Sequence, residues 1–316
     1  MKRLLSISVL CLAALLLALP AAQASAKDIT LGVAWAGKSG MAKRILKGLE
    51  AGLAEYGPNI KVEVLKTLPN IEELAKVAKR FEKEKSGMVI LRSNGAKWLA
   101  KNPPSIPTFI GACNNPEQLG AVKNMQAPEG MITGVTYFLP VKTQFEVFKA
   151  ILPNMKSVLL LLEKGHPGSL IDQASTKVAC KQFGVAYAEK LCSSKDEALA
   201  AAKSAQGKHS AIILGNEALL LDSSKDIVAA AGKTPVLAYS NKPVKNGALG
   251  GFVADDTKLG HMLAKSVAEV LLKGKAVKDV PVGVDPDPKF TINVTTAEKL
   301  GISVPFEILE SATRIK

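Results

Sequence analysis

Short apolar runs in this chain end, one after another, in small groups of polar and aromatic residues, and those groups hold the side chains able to do chemistry. They are Trp35-Ala36-Gly37-Lys38-Ser39, Arg92-Ser93-Asn94, Cys113-Asn114-Asn115, Tyr137-Phe138, Glu163, Gly215-Asn216-Glu217, Tyr239-Ser240-Asn241 and Asp255-Asp256. Aromatic residues are only 5% of the chain, so Trp35, Tyr137, Phe138 and Tyr239 at such places form a concentration. Flat rings at a mouth suit a flat or apolar ligand. Ser39, Ser93, Asn94 and the free N–H groups of helix starts suit a carboxylate, and Asp255 suits an amine. Asn114, Asn216 and Ser240 complete the candidate set. The competing role of each Ser, Asn or Asp is to cap the helix that follows it.

Enzyme signatures are weak. Gly37 and Gly40 make only a GxxG, and neither a GxxxxGK[ST] loop nor a GxSxG elbow occurs. His166, His209 and His261 are far apart, and none ends an apolar run, so a Ser-His-Asp assembly has no support. No CxxC occurs and no histidine pair has ligand spacing, so neither a metal nor another cofactor is expected. A hydrolase would need Ser39 or Ser93 activated by a base. The expectation is a binding protein, not an enzyme.

The elements that must position these groups alternate. Asp28–Ala36, Lys61–Leu65, Gly87–Leu91, Thr108–Ala112 and Ile132–Thr136 read as strands, with helices over Gly40–Tyr56, Ile71–Glu84 and Ala96–Lys101. GMVIL, at Gly87–Leu91, is a continuous apolar run of the buried parallel type. The stretch Ile132–Pro153 then passes from one series to a second. Pro140 is expected in the first turn of a helix carrying Val141, Phe145, Phe148 and Leu152 on one face. Beyond it, strands at Ser157–Leu162, Val185–Leu191, Ser210–Leu214, Pro235–Tyr239 and Ala248–Ala254 alternate with helices at Ser169–Phe183, Lys195–Ala205 and Glu217–Ala231. Alternation of this kind implies parallel sheets covered on both faces, and two series imply two α/β lobes. A long helix over Asp256–Lys273 and a Pro-rich tail, with a strand at Phe290–Val294 and a helical turn at Thr296–Leu300, close the chain.

The first residues read as an address. Lys2 and Arg3, an apolar run from Leu4 to Leu19 and Ala24-Ser25-Ala26 have the layout of a secretory signal peptide. Cleavage near Ala26 and export to the periplasm are expected. Cys11 lies inside the apolar run after Leu10, which excludes a lipoprotein anchor. The net charge of +13 comes from lysines scattered over helix surfaces, without a dense basic block, and no nucleic-acid partner is expected. Cys113, Cys180 and Cys192 remain after cleavage. Cys180 and Cys192 flank a helix-to-strand unit, compatible with a disulfide or with buried thiols.

The segment NMQAPEGMITGVTYFLPVKTQFEVFKAILPNMKSVLLL resembles the ABC transporter substrate-binding proteins associated with tryptophan and other aromatic amino acids. The resemblance rests on Pro128, Gly130, Thr133-Gly134-Val135, Pro140-Val141, Gln144 and Leu152-Pro153-Asn154. It continues in Gly247-Ala248, Leu259-Gly260, Gly274, Ile292-Asn293, Ala297, Leu300-Gly301-Ile302 and Pro305. Two segments depart from the family's usual pattern, Cys113–Pro116 and Gly247–Asp256. The resemblance implies the type I periplasmic binding protein fold: two doubly wound parallel-sheet lobes joined by a three-crossing hinge, closing on a ligand. The crossings are expected at Tyr137–Leu139, Ala254–Asp256 and Lys273–Val277. That divides the chain into a signal peptide (1–26), a first lobe (27–137 with 256–274) and a second lobe (138–255 with 275–316). The implied role is a monomeric receptor handing an aromatic or apolar amino acid to an inner-membrane ABC permease with its ATPase. Trp35, Tyr137 and Tyr239 would hold the side chain, Ser39, Ser93 and Asn94 the carboxylate, and Asp255 the amine. The alternative is a periplasmic sensor subunit that passes its closed state to a membrane signalling protein.

Overall fold

The computed structural model describes residues 28–316, so the signal-peptide expectation, Cys11 and the cleavage site lie outside the described residues. The chain builds β1 (Thr30–Ala36), α1 (Gly40–Tyr56), β2 (Lys61–Leu68), α2 (Ile71–Glu84), β3 (Gly87–Leu91), α3 (Ser93–Leu99), β4 (Thr108–Gly111) and β5 (Ile132–Gly134). These strands form a parallel sheet in the order β2-β1-β3-β4-β5. There follow α4 (Val141–Ile151), β6 (Ser157–Glu163), α5 (Pro167–Gln182), β7 (Ala186–Cys192), α6 (Lys195–Ser204), β8 (Ala211–Leu214), α7 (Ala218–Ala231), β9 (Val236–Ala238), α8 (Asn241–Lys245) and β10 (Gly250–Val253). Then come α9 (Asp256–Leu271), β11 (Lys289–Asn293), α10 (Val294–Leu300), α11 (Phe306–Ser311) and β12 (Thr313–Ile315). The second sheet runs β12-β11-β10-β9-β8-β6-β7.

Local chemistry accounts for the elements. In α2, Asn70 accepts the N–H of Glu73 at 2.9 Å, Glu72 and Glu73 sit in the first turn, and Leu74, Ala78 and Phe81 fall on the buried face. In β3 every residue is buried, as a central parallel strand requires. Pro140 stands at the N-cap of α4, one residue before the helix, because its carbonyl already accepts the N–H of Gln144. Gly134 has φ +142°, and a Cβ there would lie 2.1 Å from the Ile110 carbonyl oxygen, so only glycine brings β5 beside β4 at the hinge.

The second sheet has one antiparallel pair, β10 with β11. β10 leaves this lobe towards the hinge and β11 re-enters from it, so the two run in opposite directions. Between them α9 returns to the first lobe. Leu259, Leu263 and Val267 pack with Ile45, Leu49 and Leu53 of α1 in the core that also holds β1.

The third crossing stands later than Lys273–Val277. Val277 and Val280 are buried in the first lobe's core. The Thr133 hydroxyl donates to the Val280 carbonyl at 2.6 Å, and the N–H of Gly283 donates to the Gly134 carbonyl at 2.8 Å. Residues 277–283 therefore line the open edge of β5, and the chain crosses around Asp285. The apolar alternation of Val280 and Val282, held against a free sheet edge, outweighs the Pro-rich look of the tail. Asp285 joins two crossings, its carboxylate accepting the N–H of Asp255 at 2.8 Å and pairing with Lys258 at 2.7 Å.

The three cysteines are free and buried. Cys180 lies in the core on one face of the second sheet and Cys192 in the core on the other, so the sheet separates the two thiols. Burial pushes the Cys113 and Cys180 thiols up to about 12. Among the described residues no helix is long and apolar enough to cross a membrane.

Candidate functional site

The carboxyl ends of both sheets face each other across two adjoining cavities of about 610 and 420 Å³. Both are lined by Met41, Arg44, Tyr137, Asn216, Ser240 and Lys242. They fall within the size range of small-molecule sites, roughly 300–1,000 Å³.

On the first lobe's side, Gly37 turns the chain out of β1 with φ +73°, and Ser39 caps α1 by accepting the N–H of Ala42 at 3.1 Å. The first turn of α1 thus points free N–H groups at the smaller cavity. Ser93 opens α3, is buried and lines the same cavity, and its oxygen accepts the N–H of Asn114 at 3.1 Å. Arg92 adopts φ +78°, lines the smaller cavity, and its guanidinium donates to the Ala36 carbonyl. Burial lowers its pKa, while the charge of Glu163 opposes that shift.

On the second lobe's side, His166 caps α5 by accepting the N–H of Gly168 at 3.1 Å. Burial first, and the nearby Arg92 charge second, push its pKa down to about 4. Asn216 and Ser240 are buried, and the Asn216 Oδ1 and Ser240 Oγ atoms have no hydrogen-bond partner among the described residues. Both residues line both cavities, so these unpaired oxygens lie in the cavity walls. The Tyr239 hydroxyl pairs with Thr176 Oγ1 at 2.7 Å. Burial raises the pKa of Tyr137 and Tyr239, so both phenols stay neutral hydrogen-bonding groups.

The lobes touch beside this cleft. Asn114 Nδ2, from the end of β4, donates to Asp172 Oδ1 of α5 at 2.8 Å. Ile171, next to Asp172, is 3% exposed and packs in the core with Leu119 and Val122 of the first lobe. The N–H of Asn216 donates to the other Asp172 oxygen at 3.1 Å. Burial raises the Asp172 carboxyl to about 6, against the hydrogen bonds from Asn114 and Asn216. Glu217 lies alongside, 1% exposed, and burial followed by the Asp172 charge raises its pKa well above the usual carboxylate range.

Of the residues expected at the site, Ser39, Ser93, Tyr137, Asn216, Tyr239, Ser240 and Asp255 line the two large cavities. Three are placed differently. Trp35 is fully buried in the first lobe's core with Leu31 and Val33, because the two-residue alternation of β1 turns all three toward α1 and α9. Asn94 is half-buried on α3 and lines neither large cavity. Asn114 borders a smaller cavity beside them and ties the lobes together. Asp255 borders the larger cavity, but its Oδ1 caps α9, accepting the N–H groups of Thr257 and Lys258 at 2.8 and 3.0 Å. Asp172 and Gln144 stand about one turn inside α5 and α4, where no strand end points to them. Arg92 and Glu217 were visible at strand ends, and only their burial marks them. Among the described residues no group of His, Cys, Asp and Glu is placed to hold a metal ion.

Known proteins give the arrangement a family. The description "ABC transporter substrate binding protein" matches residues 36–316. Over 261 residues the chain is 26% identical to a tyrosine-binding protein of Clostridioides difficile (strain R20291), spanning 82% of this chain and 75% of that one. The crystal structure of the ABC domain from Streptococcus pneumonia in complex with L-Trp is similar at 25% identity, with a TM-score of 0.81 over 92% of this chain and 100% of that one. The ligand-free, open structure of a substrate-binding protein with adhesive properties from Clostridium difficile shares the fold, with 21% identity, a TM-score of 0.74, and coverage of 91% and 99%. With two parallel-dominated lobes, a cleft between their strand ends and a family match over nearly all of its described length, this chain belongs to the ABC transporter substrate-binding protein family.

Proposed function

We propose that this protein is an exported, non-catalytic receptor that captures an aromatic or other apolar amino acid and presents it to an inner-membrane ABC permease with its ATPase. The observation that carries the reading is the interlobe cleft, where Tyr137 and Tyr239 stand beside Ser39, Ser93, Ser240 and the start of α1. Two phenol rings offer a flat apolar contact. The hydroxyls and helix N–H groups, with Arg92 behind them, suit a carboxylate. Tryptophan and tyrosine in the names of two related proteins agree with that chemistry. A ligand touching both lobes favours the closed arrangement by its differential contacts, and the permease reads the closed surface. Export follows the Ala24-Ser25-Ala26 layout, with the mature chain in the periplasm as a monomer.

The test is thermal melting of the mature, ligand-free protein against amino acids, nucleosides and sugars, followed by calorimetry. A native-state ligand at a hundred times its dissociation constant adds about 2.7 kcal/mol of apparent stability, a readable shift. Stabilisation by tryptophan, tyrosine or phenylalanine alone is the expected result. Stabilisation by sugars or nucleosides instead overturns the ligand class.

A further inference from the structure

Beneath the large cleft lies a third, much smaller cavity of about 20 Å³, bordered by Asp172, Gln144, Asn114, Tyr137, Tyr239 and Phe252 among others. Tyr137 and Tyr239 also border the main cleft, so the small cavity is an alcove of it. Its size admits one water-sized group and no ring, since a single water needs roughly 10–15 Å³ on this measure. Most of the unused hydrogen-bonding capacity around it is acceptor capacity. Gln144 is 3% exposed; its Nε2 donates to the Leu139 carbonyl at 3.3 Å, and its Oε1 has no partner among the described residues. Asn114 Nδ2 donates to Asp172 at 2.8 Å and to the Gly168 carbonyl at 3.5 Å, and its Oδ1 accepts the N–H of Asn115 at 2.8 Å, so both amide donors are engaged. Thr176 Oγ1 donates to the Asp172 carbonyl at 2.6 Å, so in its 2.7 Å contact with Tyr239 the phenol is the donor, and the phenol oxygen keeps acceptor capacity. Asp172 itself is buried beside Glu217, another carboxyl, and forms no ion pair among the described residues. An ammonium group, with three donors, no acceptor and a positive charge, is the complement of this wall.

We infer that Asp172 and Gln144 form the ammonium subsite of the amino-acid ligand, with its carboxylate and side chain lying in the larger cleft above. The inference rests on the amino-acid reading just given, and it replaces Asp255, whose carboxylate caps α9 and lies outside the alcove. Asp172 supplies the charge, Gln144 Oε1 a second acceptor, and Tyr137, Tyr239 and Phe252 border the alcove. Because Asn114 binds Asp172 from the opposite lobe, an ammonium seated there is enclosed only when the lobes meet.

The experiment is calorimetry on the mature, ligand-free protein with L-tryptophan, L-tyrosine and L-phenylalanine. Each is compared with its analogue lacking the amine: 3-(indol-3-yl)propionate, 3-(4-hydroxyphenyl)propionate and 3-phenylpropionate. The native protein is expected to prefer the best amino acid over its analogue by at least a hundredfold. Asp172→Asn, isosteric and still able to accept the Asn216 N–H, is expected to reduce that preference to below fivefold. Gln144→Leu is expected to cut it about tenfold by weakening the amino acid alone. Equal weakening of amino acid and analogue in both variants, or an undiminished preference, overturns the subsite and leaves the amino-acid receptor standing. Binding of neither amino acids nor analogues by the native protein overturns the receptor reading and the subsite with it.

Discussion

Asp172 is a residue whose ionisation the fold opposes. Burial raises its carboxyl from 3.8 to about 6, so in this range the folded chain holds a proton that the unfolded chain has lost. Its stabilising contribution is complete below the unfolded value and disappears as pH rises through about 6. Glu217, Tyr137 and Tyr239 face Asp172, Glu163 faces Glu217, and His166, beside Arg92, works in the opposite sense. Its pKa falls to about 4, so its contribution is present above 6.5 and is lost as pH falls through about 4. Comparing native protein with Asp172→Asn cancels the histidine. In ligand-free protein, the variant should gain on the native chain by on the order of 2–3 kcal/mol between pH 4 and pH 7.5, read by urea unfolding at several pH values. A constant difference across that range would show that Asp172 does not titrate in it.

At the scale of elements, the seam between α1 and α9 holds the hinge to the first lobe. A Cβ on Gly48 would stand 2.0 Å from the Thr257 carbonyl oxygen, and one on Gly260 would stand 2.2 Å from that of Ile45. The two helices approach backbone to backbone, and no rotamer change relieves a methyl group there. Gly260→Ala should therefore destabilise the protein by about 1–3 kcal/mol despite its better helix propensity, measured as a lowered urea midpoint. An unchanged midpoint would mean the helices can slide apart freely. Asp285 is the other fastening. Burial alone would raise its carboxyl, but the Asp255 N–H, Lys258 and the Asp287 N–H hold it below the ordinary value. Its contribution is present above pH 3.8 and fades as pH falls through the folded value. Asp285→Ala should cost about 2 kcal/mol at pH 7, discounted because Lys258 is partly exposed, and less in acid. Thermal melting at pH 7 and pH 3.5 reads the difference.

For the whole molecule, the question is what holds the lobes together before and after a ligand arrives. The Asn114–Asp172 hydrogen bond and Ile171 set in the first lobe's core are direct bridges beside the cleft. Asn114→Ala removes a charge-assisted hydrogen bond worth roughly 1.5–3 kcal/mol. Ligand binding should weaken at least tenfold, mostly through faster dissociation. The ligand-free radius of gyration should grow in small-angle scattering, while the ligand-saturated value stays put. A variant with native affinity and native radius would show that the bond plays no part in closure.

Much of this protein was determined by local pattern. Continuous apolar runs such as β3 and β8 read as buried parallel strands because both their faces are covered. The amphipathic repeat of α2 sets its buried face, and its Asn70 cap sets where the helix begins. Short elements with weak repeats, α8, α11 and β12, escaped because their order comes from neighbours rather than from periodicity. Position across the sheet was decided only by tertiary structure. The alternation of β1 sends Trp35 into the core, while Tyr137, leaving the sheet at the first crossing, reaches the cleft. The place of residues 277–283 depends on an open edge at β5, which no local pattern announces. The acidic alcove is likewise a product of assembly: Asp172 and Gln144 sit inside helices 28 positions apart in sequence, and folding alone sets them on one 20 Å³ space without a cation. Sequence pattern records which face of an element is apolar. Which acceptors end up sharing a buried space depends on how the elements pack.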